Sequence, residues 1–382
     1  MKNDALHTLP ETDDDSLKLK YQDKEYNASY KQWRRENKDS MGFFYVETPN
    51  RITYQDSVGF INDYPEVQEE ISMRRVINVL GLILLFKSFF DVFSIYFLPH
   101  LLNLAGVNIR YDFFAGKLYG SDTVILTVKF ISSIVSLALP IGLLAKRLHM
   151  PLRIMLPLKI NNRPMFAASV PIMLLICGVC SAMSTVYEQI LGALRISTER
   201  SMLIPEKPSD MVYLIITQMI LVPAASELCS RGVLLQVTRQ FGDGSALLIT
   251  GFVTAALYYD ITGICFAFIA AVTIGYFTIR TGSVITAIVM RITMQFFIYV
   301  MYYLDYKQDN ELVVMLFLFA AIMTGIVFTS IFLYKHSDIF GIDLLSRYMT
   351  YDKKILAFLT SSPIIIWLTI VFIVSIFNIK FI

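Results

Sequence analysis

From Val76 onward the chain is a succession of apolar runs, each ended by a short polar gap. A helix needs about 20 apolar residues to cross a hydrocarbon core roughly 30 Å thick. Inside lipid only a helix or a closed barrel satisfies its own backbone polar groups. The runs predict spans near 76–99, 123–145, 166–190, 211–236, 245–260, 263–279, 283–304, 311–334 and 355–379. The expected fold class is all-α: a polytopic transmembrane helical bundle of about nine spans, the fifth and sixth short.

The first 75 residues follow a different pattern. They hold 26 of the charged residues in a chain that has 33 Lys and Arg and 31 Asp and Glu. Tyr21, Tyr26, Tyr30 and Trp33 are scattered among these charges. Such composition predicts an arm that is poorly ordered or folds only against something else, apart from a helical start at 63–75, where Asp63 caps and Pro65 suits the first turn. No hydrophobic segment in the arm resembles a cleavable signal, so the first span is expected to serve as its own insertion signal. The division expected is a polar cytoplasmic arm (1–75), a transmembrane core (76–334) and a cytoplasmic loop with an extra span (335–382).

Basic residues cluster where alternating spans end on one side: Arg74, Arg75, Lys146, Arg147, Arg153, Lys159, Arg163, Arg239, Arg280, Lys335, Arg347, Lys353 and Lys354. The opposite loops, 188–210 and 305–311, are neutral to acidic. The positive-inside rule then predicts a multi-pass protein of the plasma membrane, N-terminus cytoplasmic and C-terminus outside, provided the number of spans is odd. A net charge of +2 makes no case for nucleic acid as a partner. Cys177, Cys180, Cys229 and Cys265 all lie in apolar stretches and suggest no disulfide framework.

An ionisable group at the bilayer centre costs roughly 2.5–3.5 kcal/mol on insertion scales, so each one calls for a partner or a wet cavity. Lys87 and Asp91, four residues apart in the first span, form the simplest answer, an internal ion pair. The fourth span carries Pro223-Ala-Ala-Ser226-Glu227-Leu-Cys-Ser-Arg231-Gly232, again with acid and base at i and i+4. Asp260 closes the fifth span, and Arg291 and Gln295 lie in the seventh, after Thr281-Gly282-Ser283. Glu227, Arg231, Asp260 and Arg291 sum to zero charge and suggest one shared interior site.

These residues resemble the CPBP family of membrane proteases, which includes the type II CAAX prenyl endopeptidases, the bacteriocin-processing and immunity proteins and the Abi proteins. The resemblance covers roughly 210–300. The family pattern is P-x-x-E-E-x-x-x-R-G on one helix, F-x-x-x-H on a second, and H-x-x-x-N on a third after T-G-S. The resemblance implies that the first glutamate and the two histidines form the reactive centre, activating water with or without a metal.

Here Ser226 stands at the first glutamate, Glu227 and Arg231 are retained, Tyr259 or Asp260 falls at the second-motif histidine, and Arg291 and Gln295 replace the last histidine and asparagine. His7, His100, His149 and His336 all lie outside the spans or at their ends. Serine is no base without a neighbour to activate it, and a guanidinium cannot ligate a metal. The ligands a family metal would need are missing, and no cofactor is expected.

The expectation is a catalytically silent pseudo-protease whose former reactive centre is a salt-bridge network. It would bind a hydrophobic or lipidated peptide, or a partner helix, in the bilayer. The rival is an atypical endopeptidase using Glu227 as base, assisted by Asp260 or Gln295, with Arg291 polarising the scissile carbonyl. A transporter or channel is the third reading. No internal repeat is visible, and the charge-poor last two spans offer no continuous polar path.

Overall fold

The computed structural model describes residues 19–37, 52–55, 59–62, 65–112, 117–193, 196–197, 202–260, 263–308, 311–336, 348–377 and 380–381. Asp63 and His7 lie outside them. Among the described residues, helices occupy all nine predicted places, but they are not nine equal spans. Seven are long and apolar enough to cross a membrane. These are Pro65–Leu104 (α2), of which the apolar span is Glu69–Leu104, then Asp122–Arg147 (α3), Arg163–Ala193 (α4) and Pro208–Phe241 (α5). The others are Ile264–Thr281 (α7), Val284–Gln308 (α8) and Glu311–Lys335 (α9). Asp243–Ala256 (α6) has only 14 residues, about 21 Å of helix. The last span is a pair, Tyr351–Leu359 (α10) and Ser362–Phe377 (α11), bent by 69°. The protein is thus an integral multi-pass membrane protein with seven or eight bilayer-length helical units in a bundle.

Tertiary packing follows the apolar faces. α4 lies against α8 and α9, α2 against α3 and α11, and α6 against α7. α9 is the most apolar of the seven long spans and has few fully buried residues; it packs on α4 along one side and leaves the rest of its surface to lipid.

Within the arm expected to be poorly ordered, Lys24–Glu36 is a helix (α1). Asp23 caps it, its carboxylate accepting the Tyr26 amide at 2.7 Å. Tyr26, Tyr30 and Trp33 recur at helical spacing and are all buried. Each ring's polar handle finds a carbonyl of the bundle: Tyr26 Oη donates to Ile154, Tyr30 Oη to Gln236, and Trp33 Nε1 to Leu148 at 2.8 Å. The aromatics sort with the core, Lys24, Glu25, Arg35 and Glu36 stay at the surface, and Arg34 is buried beside Trp33. Binary patterning over 13 residues was hidden by the polarity of the whole arm.

The Thr281-Gly282-Ser283 turn ties the same face together. Gly282 has φ +70° at the end of α7, and a Cβ there would lie 2.6 Å from the Tyr21 carbonyl oxygen, so only glycine fits. The Ser283 hydroxyl donates to the Leu158 carbonyl, and the Asn161 side chain donates to the Tyr21 carbonyl. On the opposite face are the hairpin Ile109–Asp112 (β3) with Lys117–Gly120 (β4) and the pairing of Ile196–Ser197 (β5) with Lys380–Phe381 (β6). A further short hairpin, Ile52–Gln55 (β1) with Gly59–Asn62 (β2), precedes α2. α1 and β6 therefore sit at opposite ends of the bundle. The short α6 and α7 form a hairpin that starts and ends on the α1 side, so its depth in the bilayer leaves the sidedness of the other helices unchanged.

One ion pair on the α1 side is fully buried. Lys354 Nζ of α10 lies 2.8 Å from Glu69 Oε1 of α2, with both side chains at 0% exposure. Glu69 Oε2 also accepts the Tyr348 and Met349 amides, at 2.9 and 2.8 Å, and Lys354 donates to the Phe241 carbonyl. Removing one partner of such a pair strands a charge. Lys354→Met is expected to cost about 3–5 kcal/mol, read from thermal unfolding of the detergent-solubilised protein, and Glu69→Gln added to it should recover part of that loss.

A second prediction concerns α1. The Tyr26 amide and, after it, Lys159 hold the Asp23 carboxyl below its ordinary range, against the opposing effect of partial burial. A depressed value means that the stabilisation is present at neutral pH and fades as pH falls through it. Asp23→Ala should weaken α1 by about 1 kcal/mol, seen as faster amide hydrogen exchange over 24–36 at pH 7.

Candidate functional site

The site is built on α5, which is not a regular helix. Its turns widen to π geometry at Ile215–Leu221 and again at Leu228–Leu234, on either side of the segment Val222–Glu227. Pro223 supplies no N–H and its ring crowds the carbonyl of the preceding turn. The widened turn absorbs that clash, with the Val222 amide reaching back to the Thr217 carbonyl. π-turns inside helices often accompany functional sites. Gly232 serves a separate need, since a Cβ there would lie 2.6 Å from the Met155 carbonyl oxygen; the chain between α3 and α4 passes directly over it.

Glu227 and Arg231 are buried to within 1% of full enclosure. Arg231 Nε lies 3.4 Å from Glu227 Oε2. The remaining donors of that guanidinium reach two other helices: Nη1 donates to Thr254 Oγ1 of α6 at 2.9 Å, and Nη2 to the Ala271 carbonyl of α7 at 2.6 Å. Arg291 comes from α8 on the other side. Its Nε lies 3.9 Å from Glu227 Oε1, its Nη1 is 3.6 Å from the Met294 sulfur, and its face stacks over the Tyr258 ring at 5.0 Å. One carboxylate thus stands between two guanidiniums, one engaging each oxygen.

Beside this group is a cavity of about 220 Å³. Its wall includes Ser226, Glu227, Tyr258 and Arg291, and also Lys87 and Asp91 of α2. The Lys87–Asp91 pair expected from the sequence is present at 2.7 Å, and it lies on the wall of the site. Asp91 also accepts the Tyr259 hydroxyl at 2.9 Å. Tyr259, with φ +51°, turns towards α2 and meets Ser88 as well, at 2.8 Å.

Several candidate residues are placed differently from expectation. The ring under Arg291 is that of Tyr258, while the Tyr259 hydroxyl reaches Asp91 and Ser88. Asp260 lies in the turn between α6 and α7, its carboxylate against Gly263, and it does not line the cavity. The neutral sum expected with Asp260 is therefore not realised on the wall. Gln295 is likewise off the cavity. Ser226 lines it, but its hydroxyl donates to the Pro223 carbonyl at 2.8 Å. Thr254 and Tyr258 went unnoticed in the sequence. A cation over a ring, and a hydroxyl 23 positions from the arginine it meets, leave no local signature.

Chemically, the arrangement suits charge compensation better than proton transfer. Both Glu227 oxygens face cations, and no imidazole lines the cavity. A metal of the kind some family members use does not fit this donor set, because the wall's Glu227 is committed to guanidiniums that would repel a cation. Among the described residues no three potential ligands come together. Cys177 and Cys180 of α4 are free thiols, both buried in the bundle.

Residues 208–297 match the family model of the type II CAAX prenyl endopeptidase Rce1-like domain. The match spans α5 to the middle of α8, the same helices that supply Glu227, Arg231, Thr254, Tyr258 and Arg291. The resemblance to the CPBP family is borne out over that stretch. Comparison with curated proteins and with solved structures gives no match.

Glu227 is the buried carboxylate between the two cations. Glu227→Gln is expected to destabilise the protein by about 3–5 kcal/mol, measured by thermal unfolding in detergent. Arg291→Gln added to it should restore part of the loss, because Arg291 has the weaker set of remaining partners.

Proposed function

We propose that the Rce1-like domain at 208–297 of this membrane protein holds an apolar ligand in its cavity and does not cut it. The observation that carries this is the position of the Arg291 guanidinium, 3.9 Å from the carboxylate that would have to act as base. Hydrolysis needs a group free to take a proton from water and donors aimed at the developing oxyanion. Glu227 is held instead from both sides, and Ser226 has its hydroxyl turned into its own helix. The reactive centre implied by the resemblance becomes an electrostatic clamp across α5, α6, α7 and α8.

What remains is a cavity with mostly aliphatic walls, such as Leu80, Ile83, Leu84 and Ile141. A hydrophobic or lipidated peptide, or one helix of a membrane partner, suits it. The basic loops on the α1 side support a cytoplasmic arm and an outward C-terminus in the plasma membrane.

The test is a cleavage assay with the purified full-length protein and a lipidated peptide. No product above the peptide-alone control is expected, while the labelled peptide binds saturably. Turnover by the wild-type protein that Glu227→Gln abolishes, in a preparation that remains folded, would establish the endopeptidase in place of the holder.

A further inference from the structure

The charges around the cavity do not cancel. Lys87, Asp91, Glu227 and Arg291 line it, and Arg231 stands directly behind Glu227. Three cations thus meet two carboxylates. Lys87 and Asp91 neutralise each other at 2.7 Å. Arg231 donates to Thr254 and to the Ala271 carbonyl, and its Nε, which makes no hydrogen bond, lies 3.4 Å from Glu227, closer than Arg291 comes. The excess falls on Arg291. Its approach to Glu227, 3.9 Å, is beyond hydrogen-bond length, its Nε has no hydrogen-bond acceptor, and its nearest other polar neighbour is a thioether sulfur. Its side chain is 14% exposed, and that exposed part is on the cavity wall.

The wall's hydroxyls narrow the choice of ligand. Ser136, Ser226, Ser230 and Thr254 each donate to a carbonyl of their own helix. Their protons are thus taken, and the carbonyls of an extended peptide drawn past them would find few donors, which is costly in an apolar site. A methylene chain has no such requirement.

Building on the reading that the cavity holds its ligand, we infer that it takes a long-chain carboxylate, a fatty acid. The head group sits on the Arg291 guanidinium, whose planar fork matches a carboxylate. The acyl chain runs between α2 and α3 along Leu84, Leu137 and Ile141. Binding supplies the missing negative charge, so Arg291 makes head-group charge, as well as apolar length, a condition of tight binding.

The experiment compares tritiated palmitate with tritiated hexadecanol, of equal chain length, on the full-length protein in neutral detergent at pH 8. Palmitate is expected to bind at least about tenfold more tightly, the scale of a hydrogen bond to a charged group. Arg291→Gln should lower the affinity for palmitate to about that for hexadecanol, removing the preference. Should that variant not fold, Arg291→Lys, which keeps the charge but loses the fork, should reduce the preference.

Equal affinities for the acid and the alcohol in the wild-type protein would overturn the fatty-acid assignment and leave the holding function standing. Saturable binding of neither would also overturn it, and would remove the holding function as well if the lipidated peptide likewise fails to bind. A lipidated peptide with a free C-terminal carboxylate that binds saturably where palmitate does not would also overturn it, assigning Arg291 to peptide ends.

Discussion

A guanidinium that never loses its proton, placed among apolar helices, has to be surrounded by acceptors, and Arg231 sets this requirement for the bundle. Its partners come from three helices: Glu227 on α5, Thr254 on α6 and the Ala271 carbonyl on α7. None of the three can shift far without leaving a buried donor unpaired, which costs more than a typical hydrogen bond contributes. The short α6 buries Ile249, Val253 and Ala256 in the core, and a polar contact adds a second reason for it to keep its depth. Its Thr254 makes that contact.

The same residue connects the interior to the arm. The Arg231 carbonyl accepts the Gln236 side-chain amide, and the oxygen of that amide lies 3.0 Å from the Tyr26 hydroxyl of α1, whose one proton it shares with the Ile154 carbonyl. The Gln236 backbone carbonyl accepts Tyr30. Polar groups from the docking helix to the charged clamp therefore form a continuous chain through α5. The buried Glu69–Lys354 pair fastens the same end of the bundle on its other side, where α10 meets α2 and the end of α5. Arg231, Glu69 and Lys354 each also meet backbone groups, the condition under which such charges are tolerated away from water.

Much of this was legible in the sequence because it is periodic or local. Apolar runs located the helices of the bundle, the ten residues from Pro223 to Gly232 located the clamp, and Lys87–Asp91 announced itself by its spacing. What could not be read depends on which way a turn points. Tyr258 and Tyr259 are adjacent and chemically identical, yet one lies under Arg291 and the other reaches Asp91 on α2; only the positive φ of Tyr259 separates them. Asp260 counted as a site charge by proximity in the chain and lies in the turn instead. The arm hid its helix for another reason: three buried aromatics among many charges do not change a segment's average, although their spacing is helical.

The two wide turns of α5 bear on how an acid on this helix finds its neighbours. A π-turn carries one residue more than an α-turn, and each residue rotates a helix by about 100°. The segment Val222–Glu227 is thus set in azimuth by supernumerary residues above and below it, which bear no chemistry themselves. The compass bearing of Glu227 is a property of helical phase as much as of side-chain identity. Two chains could share the ten-letter signature and aim its carboxylate at different walls, so spelling alone underdetermines what such a helix confronts.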